Sequence, residues 1–163
     1  MRLLIIRHAI AVPHGTPGVR EDERPLTPQG ERRFQQAAQG LARILEPPDA
    51  LLTSPLPRAR QTAQIAARAW NGPPPIDAPQ LIDARPGAVA RLLAARKGAK
   101  LVALVGHEPS LSQLVAHLLG ASEAERFALR KGGAVLLELA TGPRGGARLI
   151  WALPPRLLRK LAR

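Results

Sequence analysis

The sequence predicts an α/β fold built on a mostly parallel sheet, and three observations carry this prediction. The run Leu3–Ile6 is uniformly apolar, as in a strand that is buried on both faces. Short apolar runs and helically spaced apolar residues then alternate as far as Leu118, in the order strand, helix, strand, helix, strand, helix. This order implies parallel strands joined by right-handed crossovers. A length of 163 residues and a hydrophobic content of 45% suit one core, so we expect a single domain over residues 1–163.

A loop and a helix follow the first strand. Proline and glycine recur through the segment Ala11–Pro25, which predicts a long irregular loop, and loops of this length are often functional. Thr27 has the side chain of a helix N-cap, and Pro28 suits the first helical position. Pro47-Pro48 ends this helix. Its apolar residues recur at helical spacing, at Phe34, Ala37, Ala38, Leu41 and Leu45.

The second strand, Ala50–Thr53, leads into a second helix. We expect Ser54 to be the N-cap of this helix and the helix to run from Pro55 to Trp70. Asn71-Gly72 and three prolines end it, and a loop is predicted from there through Pro86. A third helix follows, with apolar side chains at Val89, Leu92 and Leu93.

The clearest strand in the chain is Leu101–Val105. It is followed by the turn Gly106–Pro109 and by a helix that carries Leu111, Leu114, Val115 and Leu118. The last part of the chain then predicts a pair of strands and a short basic helix. The two strands are Ala134–Leu139 and Arg148–Ala152, separated by a glycine-rich turn at Gly142–Gly146.

Composition limits the kinds of partner and cofactor. A net charge of +12 and a pI near 11.7 favour an anionic partner, either a phosphorylated substrate or a nucleic acid. An aromatic content of 2% leaves little for base stacking, which makes nucleic acid unlikely. The chain has no cysteine and its four histidines lack ligand spacing, so we expect neither a zinc site nor any cofactor. No apolar run approaches the roughly 18 residues of a membrane span, and we expect a cytoplasmic protein without membrane contact.

Charged and polar side chains follow three of the predicted strands. Arg7-His8 ends the first strand, Ser54–Arg58 follows the second, and Gly106-His107 follows the third. In α/β proteins this edge of the sheet is where ligands bind. A neutral imidazole is a competent nucleophile toward phosphorus, and a phosphoryl group in transfer needs fixed cations around its oxygens. We therefore predict His8 as a nucleophile, with Arg7, Arg58 and His107 around the phosphate.

These motifs resemble those of the histidine phosphatase (phosphoglycerate mutase-like) superfamily. Arg7-His8-Ala9 is similar to its Arg-His-Gly signature, and Ser54–Thr62 is similar to its Ser-Pro-x-x-Arg-Ala-x-Gln-Thr segment. Val105-Gly106-His107 matches its second catalytic histidine. The small size and three further segments narrow the resemblance to the short SixA-type phosphohistidine phosphatases. Those segments are Arg24–Gly30, Gly106–Pro109 and Lys131-Gly132-Gly133.

The resemblance runs from Arg2 to about Trp151 and implies both a fold and a mechanism. The fold is a three-layer α/β/α arrangement of the phosphoglycerate mutase-like type. His8 would become a phosphohistidine that water then hydrolyses, with no metal required, and Arg7, Arg58 and His107 would complete the phosphate pocket. Ala9 stands where the superfamily usually has glycine, so we expect this position to have an ordinary backbone conformation.

Further side chains are weaker site candidates. Arg24, Glu108 and Lys131 are candidates for substrate binding, although Glu108 could instead cap the following helix and Lys131 could tether a turn. Many members of the superfamily use a carboxylic acid to protonate an alcohol leaving group. Three residues could fill that role here, namely Glu21, Asp22 and Asp83. If none of them does, the enzyme should favour phosphoramidates, whose imidazole leaving group departs more readily than an alkoxide.

The resemblance leads to one main functional hypothesis and leaves two alternatives. The main hypothesis is a phosphatase that hydrolyses phosphohistidine, carried by a protein substrate. One alternative is a phosphomonoesterase or mutase acting on small phosphate esters, such as sugar phosphates or phosphoglycerate. The other is a basic nucleic-acid-binding module without catalysis. The sequence carries no prediction of the oligomeric state.

Overall fold

A computed structural model describes residues 1–139 and 146–163, and within these ranges it contains a six-stranded sheet. The strand order is β3-β2-β4-β1-β5-β6, with β1 to β4 parallel and β5 and β6 antiparallel to their neighbours. The predicted turn at Gly142–Gly146 lies, apart from Gly146, outside the described residues. The strands are β1 Arg2–Arg7, β2 Ala50–Thr53, β3 Ile76–Asp77, β4 Leu101–Gly106, β5 Ala134–Leu139 and β6 Ala147–Leu153.

Helices cover both faces of this sheet, which confirms the predicted three-layer α/β class. Successive strand residues point to opposite faces, so Leu4 and Ile6 join one buried cluster while Leu3 and Ile5 join the other. The first cluster includes residues of α1, α2 and α5, and the second includes residues of α3 and α4. In the described ranges none of the helices is both long and apolar enough to span a bilayer. The helices are α1 Pro28–Ile44, α2 Pro57–Trp70, α3 Pro86–Ala94, α4 Ser110–Leu119 and α5 Pro155–Leu161.

The start of α1 is as predicted. The Thr27 hydroxyl oxygen accepts a hydrogen bond of 2.9 Å from the backbone N–H of Gly30, and Pro28 occupies the first helical position. This bond satisfies one of the N–H groups that the first turn leaves without an intrahelical partner. Phe34 and Leu41 lie on the buried face that the spacing of the apolar residues predicts.

The predicted start of α2 is wrong. The helix begins at Pro57 rather than Pro55, and Leu56 rather than Ser54 occupies the N-cap position. The reason is Pro57 itself, because a proline ring disfavours helical geometry in the preceding residue. Leu56 accordingly has φ −65° and ψ 137°, an extended conformation. Ser54 is thereby kept out of the helix, and its hydroxyl is used elsewhere.

β3 is absent from the elements that the sequence predicts. The segment between Asn71 and Pro86 was expected to be a loop, but Ile76 and Asp77 pair in parallel with Leu52 and Thr53. Two residues are too few to produce an alternating apolar pattern, and Ile76 and Asp77 are both exposed. This short edge strand widens the parallel part of the sheet beside β2.

The register of the parallel strands aligns their carboxyl ends. Arg7 of β1 pairs with Gly106 of β4, and Thr53 of β2 pairs with Val105. The N–H of His8 then donates to Gly106 O at 3.0 Å, and the N–H of Ser54 donates to Val105 O at 3.0 Å. The residues that follow the three strands, His8, Ser54 and His107, therefore lie at one edge of the sheet.

Candidate active site

His8 is buried and held in one orientation. Its side-chain Nδ1 lies 2.7 Å from the carbonyl oxygen of Ala9, and only 6% of the residue is exposed. A carbonyl oxygen can only accept, so Nδ1 carries the hydrogen and Nε2 keeps its lone pair. Burial is the largest cause that lowers the pKa of His8 to about 3; the bond to Ala9 opposes this shift, and the charges of His107, Arg58 and Arg7 add to it. The ring is therefore neutral at pH 7 and held in one orientation.

The backbone around His8 is fixed from two sides. The N–H of Ala9 donates to the Thr62 hydroxyl oxygen at 3.0 Å, and that hydroxyl donates to Arg58 O at 2.6 Å, which ties the end of β1 to α2. On the other side, the N–H of Gly132 donates to His8 O at 3.1 Å. Ala9 is not among the residues with positive φ, which confirms the prediction of an ordinary backbone conformation there.

His107 lies beside His8, with the two ring centroids 5.1 Å apart. Its Nε2 is 2.8 Å from the Ser54 hydroxyl oxygen, whereas its Nδ1 is buried without a hydrogen-bond partner. Burial is the largest cause that lowers the pKa of His107 to about 4, and the positive charges of Arg58, Arg24 and Arg7 act in the same direction. His107 is therefore also neutral at pH 7, with one ring nitrogen available to a ligand.

Arg7 and Arg58 each present part of a guanidinium group to this site. Arg7 Nη1 donates to Leu129 O at 2.6 Å, and Arg58 Nη1 donates to Glu21 O at 2.9 Å. The Nε atoms of both arginines are buried and have no partner. Within the described residues four buried side-chain polar atoms lack a partner, and three of them belong to Arg7, Arg58 and His107. Buried donors are normally satisfied, so this clustering of unsatisfied donors fits an anion-binding site.

Arg24 and Glu21 bring the long first loop to the same place. The Arg24 guanidinium donates to both carboxylate oxygens of Glu21, at 2.8 and 2.5 Å, and to Val12 O at 2.7 Å. Glu21 Oε1 is also 3.6 Å from Arg58 Nη2. The hydrogen bonds from Arg24 and His14 are the main causes that lower the pKa of Glu21 to about 2. Glu21 is thus an ionised carboxylate that holds the loop.

Glu108 is engaged by the backbone rather than left free. Its Oε1 accepts from the N–H of Leu129 at 2.7 Å, and its Oε2 accepts from the N–H and hydroxyl of Ser112 at 3.2 and 2.7 Å. Ser112 lies in the first turn of α4, so this geometry matches the helix-capping alternative that the sequence left open.

The contacts that Ser54 makes with His107 and that Thr62 makes with Ala9 could not be predicted from the sequence. No local pattern identifies a side-chain partner on another strand or helix.

The remaining candidates differ in their distance from the histidines. Burial lowers the pKa of Lys131, and the positive charges of Arg7 and Arg24 act in the same direction. Asp22 pairs with Arg20 at 2.6 Å on the exposed first loop. Asp83 is exposed and pairs with Arg85 at 2.6 Å, and within the described residues it forms no hydrogen bond or ion pair with the two histidines, Arg7 or Arg58.

A model of the histidine phosphatase superfamily, branch 1, matches residues 3–92. The chain belongs to the histidine phosphatase superfamily. The matched segment includes Arg7, His8 and Arg58, while His107 lies beyond it. Membership makes the chain a phosphatase, and the paired histidines and buried arginines described above occupy the edge of the sheet to which the superfamily motifs map.

Solved structures agree with a SixA-type member of the superfamily. One solved structure is that of SixA from Agrobacterium tumefaciens, assigned as a phosphohistidine phosphatase. It is 29% identical to this chain and has a TM-score of 0.80, and the match covers 94% of this chain and 97% of that one. A second solved structure is that of the protein histidine phosphatase SixA complexed with tungstate. It is 25% identical to this chain and has a TM-score of 0.82, and the match covers 97% of this chain and 99% of that one. An uncharacterized protein of Picosynechococcus is 37% identical over 93% of this chain and 90% of its own length.

Proposed function

We propose that this superfamily member hydrolyses phosphohistidine carried by a protein, through a covalent phosphohistidine intermediate on His8. The observation that carries the proposal is the position of a neutral imidazole beside three unsatisfied buried donors, on Arg7, Arg58 and His107. Such donors would bind the phosphoryl oxygens in both the ground state and the transition state. The two SixA relatives, one of them complexed with the oxyanion tungstate, support the same assignment.

The first step is attack by Nε2 of His8 on phosphorus. A nitrogen–phosphorus bond forms to His8 as the corresponding bond to the substrate imidazole breaks, and that imidazole leaves with a proton from solvent. The hydrogen bond from Nδ1 to Ala9 O directs the lone pair of Nε2 toward the phosphorus. Water then attacks the phosphorylated His8, which releases phosphate and restores the neutral ring.

His107 acts as a donor to a phosphoryl oxygen. The Ser54 hydroxyl oxygen accepts from the N–H of Leu56 at 3.4 Å, so its own hydrogen is free to be donated to Nε2 of His107. The ring proton of His107 then resides on Nδ1, the atom that lacks a partner. Together with the guanidinium groups of Arg7 and Arg58, this supplies the cationic surroundings that phosphoryl transfer needs, and the mechanism requires no metal.

The carboxylates near the site support a phosphoramidate rather than an ester substrate. Glu21 has a pKa of about 2 and is bound by Arg24, so it is a poor proton donor at pH 7. Asp22 is paired with Arg20, and Asp83 is paired with Arg85. An alkoxide leaving group needs a proton from the enzyme, whereas an imidazole needs much less assistance. The alternative, hydrolysis of small phosphate esters, would need an acid that none of these three residues supplies in this geometry.

The test compares a protein phosphorylated on histidine with glycerol 2-phosphate, an ester whose leaving group is an alkoxide. We expect release of phosphate from the phosphohistidine protein to exceed turnover of the ester, and His8→Ala to lose at least about a hundredfold in kcat/KM. His117→Ala, which removes a histidine of α4 outside the site, should keep wild-type activity. Equal rates for wild type and His8→Ala would exclude the mechanism, and turnover of the ester alone would favour the alternative function.

A further inference from the structure

A basic groove begins next to His8. It is a cavity of about 470 Å³ between α1, the turn at Arg130–Gly132 and α5, and Ala9 and Ile10, the two residues after His8, line part of it. Apolar groups of Phe34, Ala37 and two prolines also line it. No acidic side chain lines the groove. Its cations are Arg33, Arg130, Lys131, Arg156 and Arg159.

These five cations are uncompensated. Within residues 1–139 and 146–163, none of them forms an ion pair or a side-chain hydrogen bond. The arginines on the first loop and beside β3 differ, since Arg20, Arg24 and Arg60 each pair with a carboxylate. A guanidinium group without an internal partner is available to bind a carboxylate from another molecule, with two parallel hydrogen bonds.

The positive charge continues beyond the groove. A second cavity of about 460 Å³ shares Arg156 and Arg159 with the first and adds Lys160 and Arg163. Gln36 and Gln39 of α1 complete its polar lining. The seven residues of α5 alone rise by about 10 Å. A small substrate with its phosphate at His8 cannot extend along this whole surface, whereas a segment of a protein can.

Lys131 connects the groove with the phosphate site. It lines the groove, and the charges of Arg7 and Arg24 act on its ammonium group. The backbone N–H of the neighbouring Gly132 donates to the carbonyl oxygens of Arg7 and His8, each at 3.1 Å. The turn that lines the groove is therefore bonded to the backbone of the two residues that end β1 and begin the phosphate site.

We propose that this groove binds an acidic segment of the phosphorylated protein, next to its phosphohistidine in space. The identity of the bound protein as the substrate rests on the function proposed above, whereas the binding of an acidic segment does not. Guanidinium–carboxylate pairs along Arg156 and Arg159 would orient the substrate, and screening by salt makes this contact sensitive to ionic strength.

The experiment uses two phosphohistidine peptides of equal length, one with Asp and Glu flanking the phosphohistidine and one with Asn and Gln in their place. At 150 mM NaCl we expect wild type to prefer the acidic peptide by about tenfold in kcat/KM, as two exposed ion pairs would give. The double variant Arg156→Gln/Arg159→Gln should lose this preference and keep its rate on the neutral peptide. The matched control Arg91→Gln/Lys97→Gln removes the same charge from exposed positions in and after α3, and it should keep the preference.

A second measurement separates this proposal from the proposed function. Fluorescence anisotropy of the unphosphorylated acidic peptide reports binding without catalysis, so groove-dependent binding would support the docking site even in a protein that does not hydrolyse phosphohistidine. Absence of any peptide preference, or an equal loss on both peptides in the groove variant, would overturn the proposal. A random-sequence DNA oligonucleotide that binds the groove more tightly than the acidic peptide would also overturn it, in favour of nucleic acid.

Discussion

Glu108 and Arg7 hold the same residue, Leu129, from its two ends. The Glu108 carboxylate accepts from the backbone N–H of Leu129 at 2.7 Å, and the carbonyl oxygen of Leu129 accepts from Arg7 Nη1 at 2.6 Å. Arg7 is thereby oriented through a backbone segment that Glu108 fixes, without any hydrogen bond between the two side chains. Glu108 is a positioning residue in this arrangement, since both of its oxygens are already engaged.

Replacing Glu108 should weaken anion binding as well as stability. Glu108→Ala leaves the N–H of Leu129 without its acceptor, and we expect a loss of about 1–3 kcal/mol in the free energy of unfolding. Because Leu129 also orients Arg7, we expect the inhibition constant of tungstate to rise by about tenfold, which corresponds to about 1.4 kcal/mol. Urea unfolding and inhibition by tungstate measure the two effects.

Two variants separate positioning from simple destabilisation. Ser112→Ala removes a partner of Glu108 Oε2 but leaves the bond to Leu129 in place, so it should lower stability without changing tungstate inhibition. Glu108→Gln keeps an acceptor oxygen for Leu129 and should retain most of the affinity for tungstate. A Glu108→Ala protein that is less stable but binds tungstate like wild type would show that Glu108 has no positioning role.

The Ser54 hydroxyl should control the proton of His107. Ser54→Ala removes the partner of Nε2, so the ring proton is no longer confined to Nδ1. We expect kcat on a phosphohistidine protein to fall by about tenfold and the ¹⁵N chemical shifts of His107 to move toward a mixture of the two tautomers. Ser110→Ala, which removes a hydroxyl that bonds only the backbone carbonyl of His107, is the control. Unchanged ¹⁵N shifts in Ser54→Ala would argue against this role.

The two buried histidines should make the fold sensitive to acid. Their pKa values in the folded chain are about 3 for His8 and about 4 for His107, below the ordinary 6.5. As the pH falls below about 6.5, the unfolded chain binds more protons than the folded chain. The free energy of unfolding must therefore fall as the pH falls. At pH 5 we expect each histidine to lower the free energy of unfolding by about 2 kcal/mol relative to pH 7, and this effect fades as the pH rises above about 7.

Urea unfolding at pH 7 and pH 5 measures this effect. His8→Ala and His107→Ala should each lose less stability than wild type over this interval, and His117→Ala should lose the same amount as wild type. The pKa of Glu21 is lowered from 4.5 to about 2, so its contribution to the free energy of unfolding is lost mainly below pH 5. It therefore does not obscure the comparison between pH 7 and pH 5. The expectation fails if both site variants lose as much stability between pH 7 and pH 5 as wild type does.

The parallel part of the fold could be predicted because each step depended on local pattern. Runs such as Leu3–Ile6 and Leu101–Val105 are buried on both faces and read as strands, and helical spacing identified the elements between them. The errors arose where length or a neighbouring residue overrode the pattern. β3 is too short to show periodicity, and Pro57 displaced the start of α2 by two residues.

The site could be predicted only in part, for a similar physical reason. The side chains that follow parallel strands had to meet at one edge, and Arg7, His8, Arg58 and His107 do lie together in the structure. Their supporting contacts depend on the rotamers of residues distant in sequence. The pairing of His107 with Ser54 and the shared use of Leu129 by Arg7 and Glu108 leave no mark on local spacing.

Glu21 should be dispensable as a proton donor and important for the first loop. Its carboxylate is ionised, with a pKa of about 2, and binds Arg24 through two hydrogen bonds. Glu21→Gln keeps one acceptor oxygen but loses the charge, so the loop and the Arg58 side chain near it are held less firmly. We expect KM for a phosphohistidine protein to rise several-fold while kcat stays within about threefold of wild type.

A general acid would behave differently, since its loss lowers kcat by about 10²–10⁴ and removes a limb of the pH–rate profile. Asp83→Asn is the matched control, because Asp83 is paired with Arg85 and not with Arg24 or Arg58, and neither constant should change. A large drop in kcat for Glu21→Gln alone would identify Glu21 as the acid and shift the substrate preference toward phosphate esters.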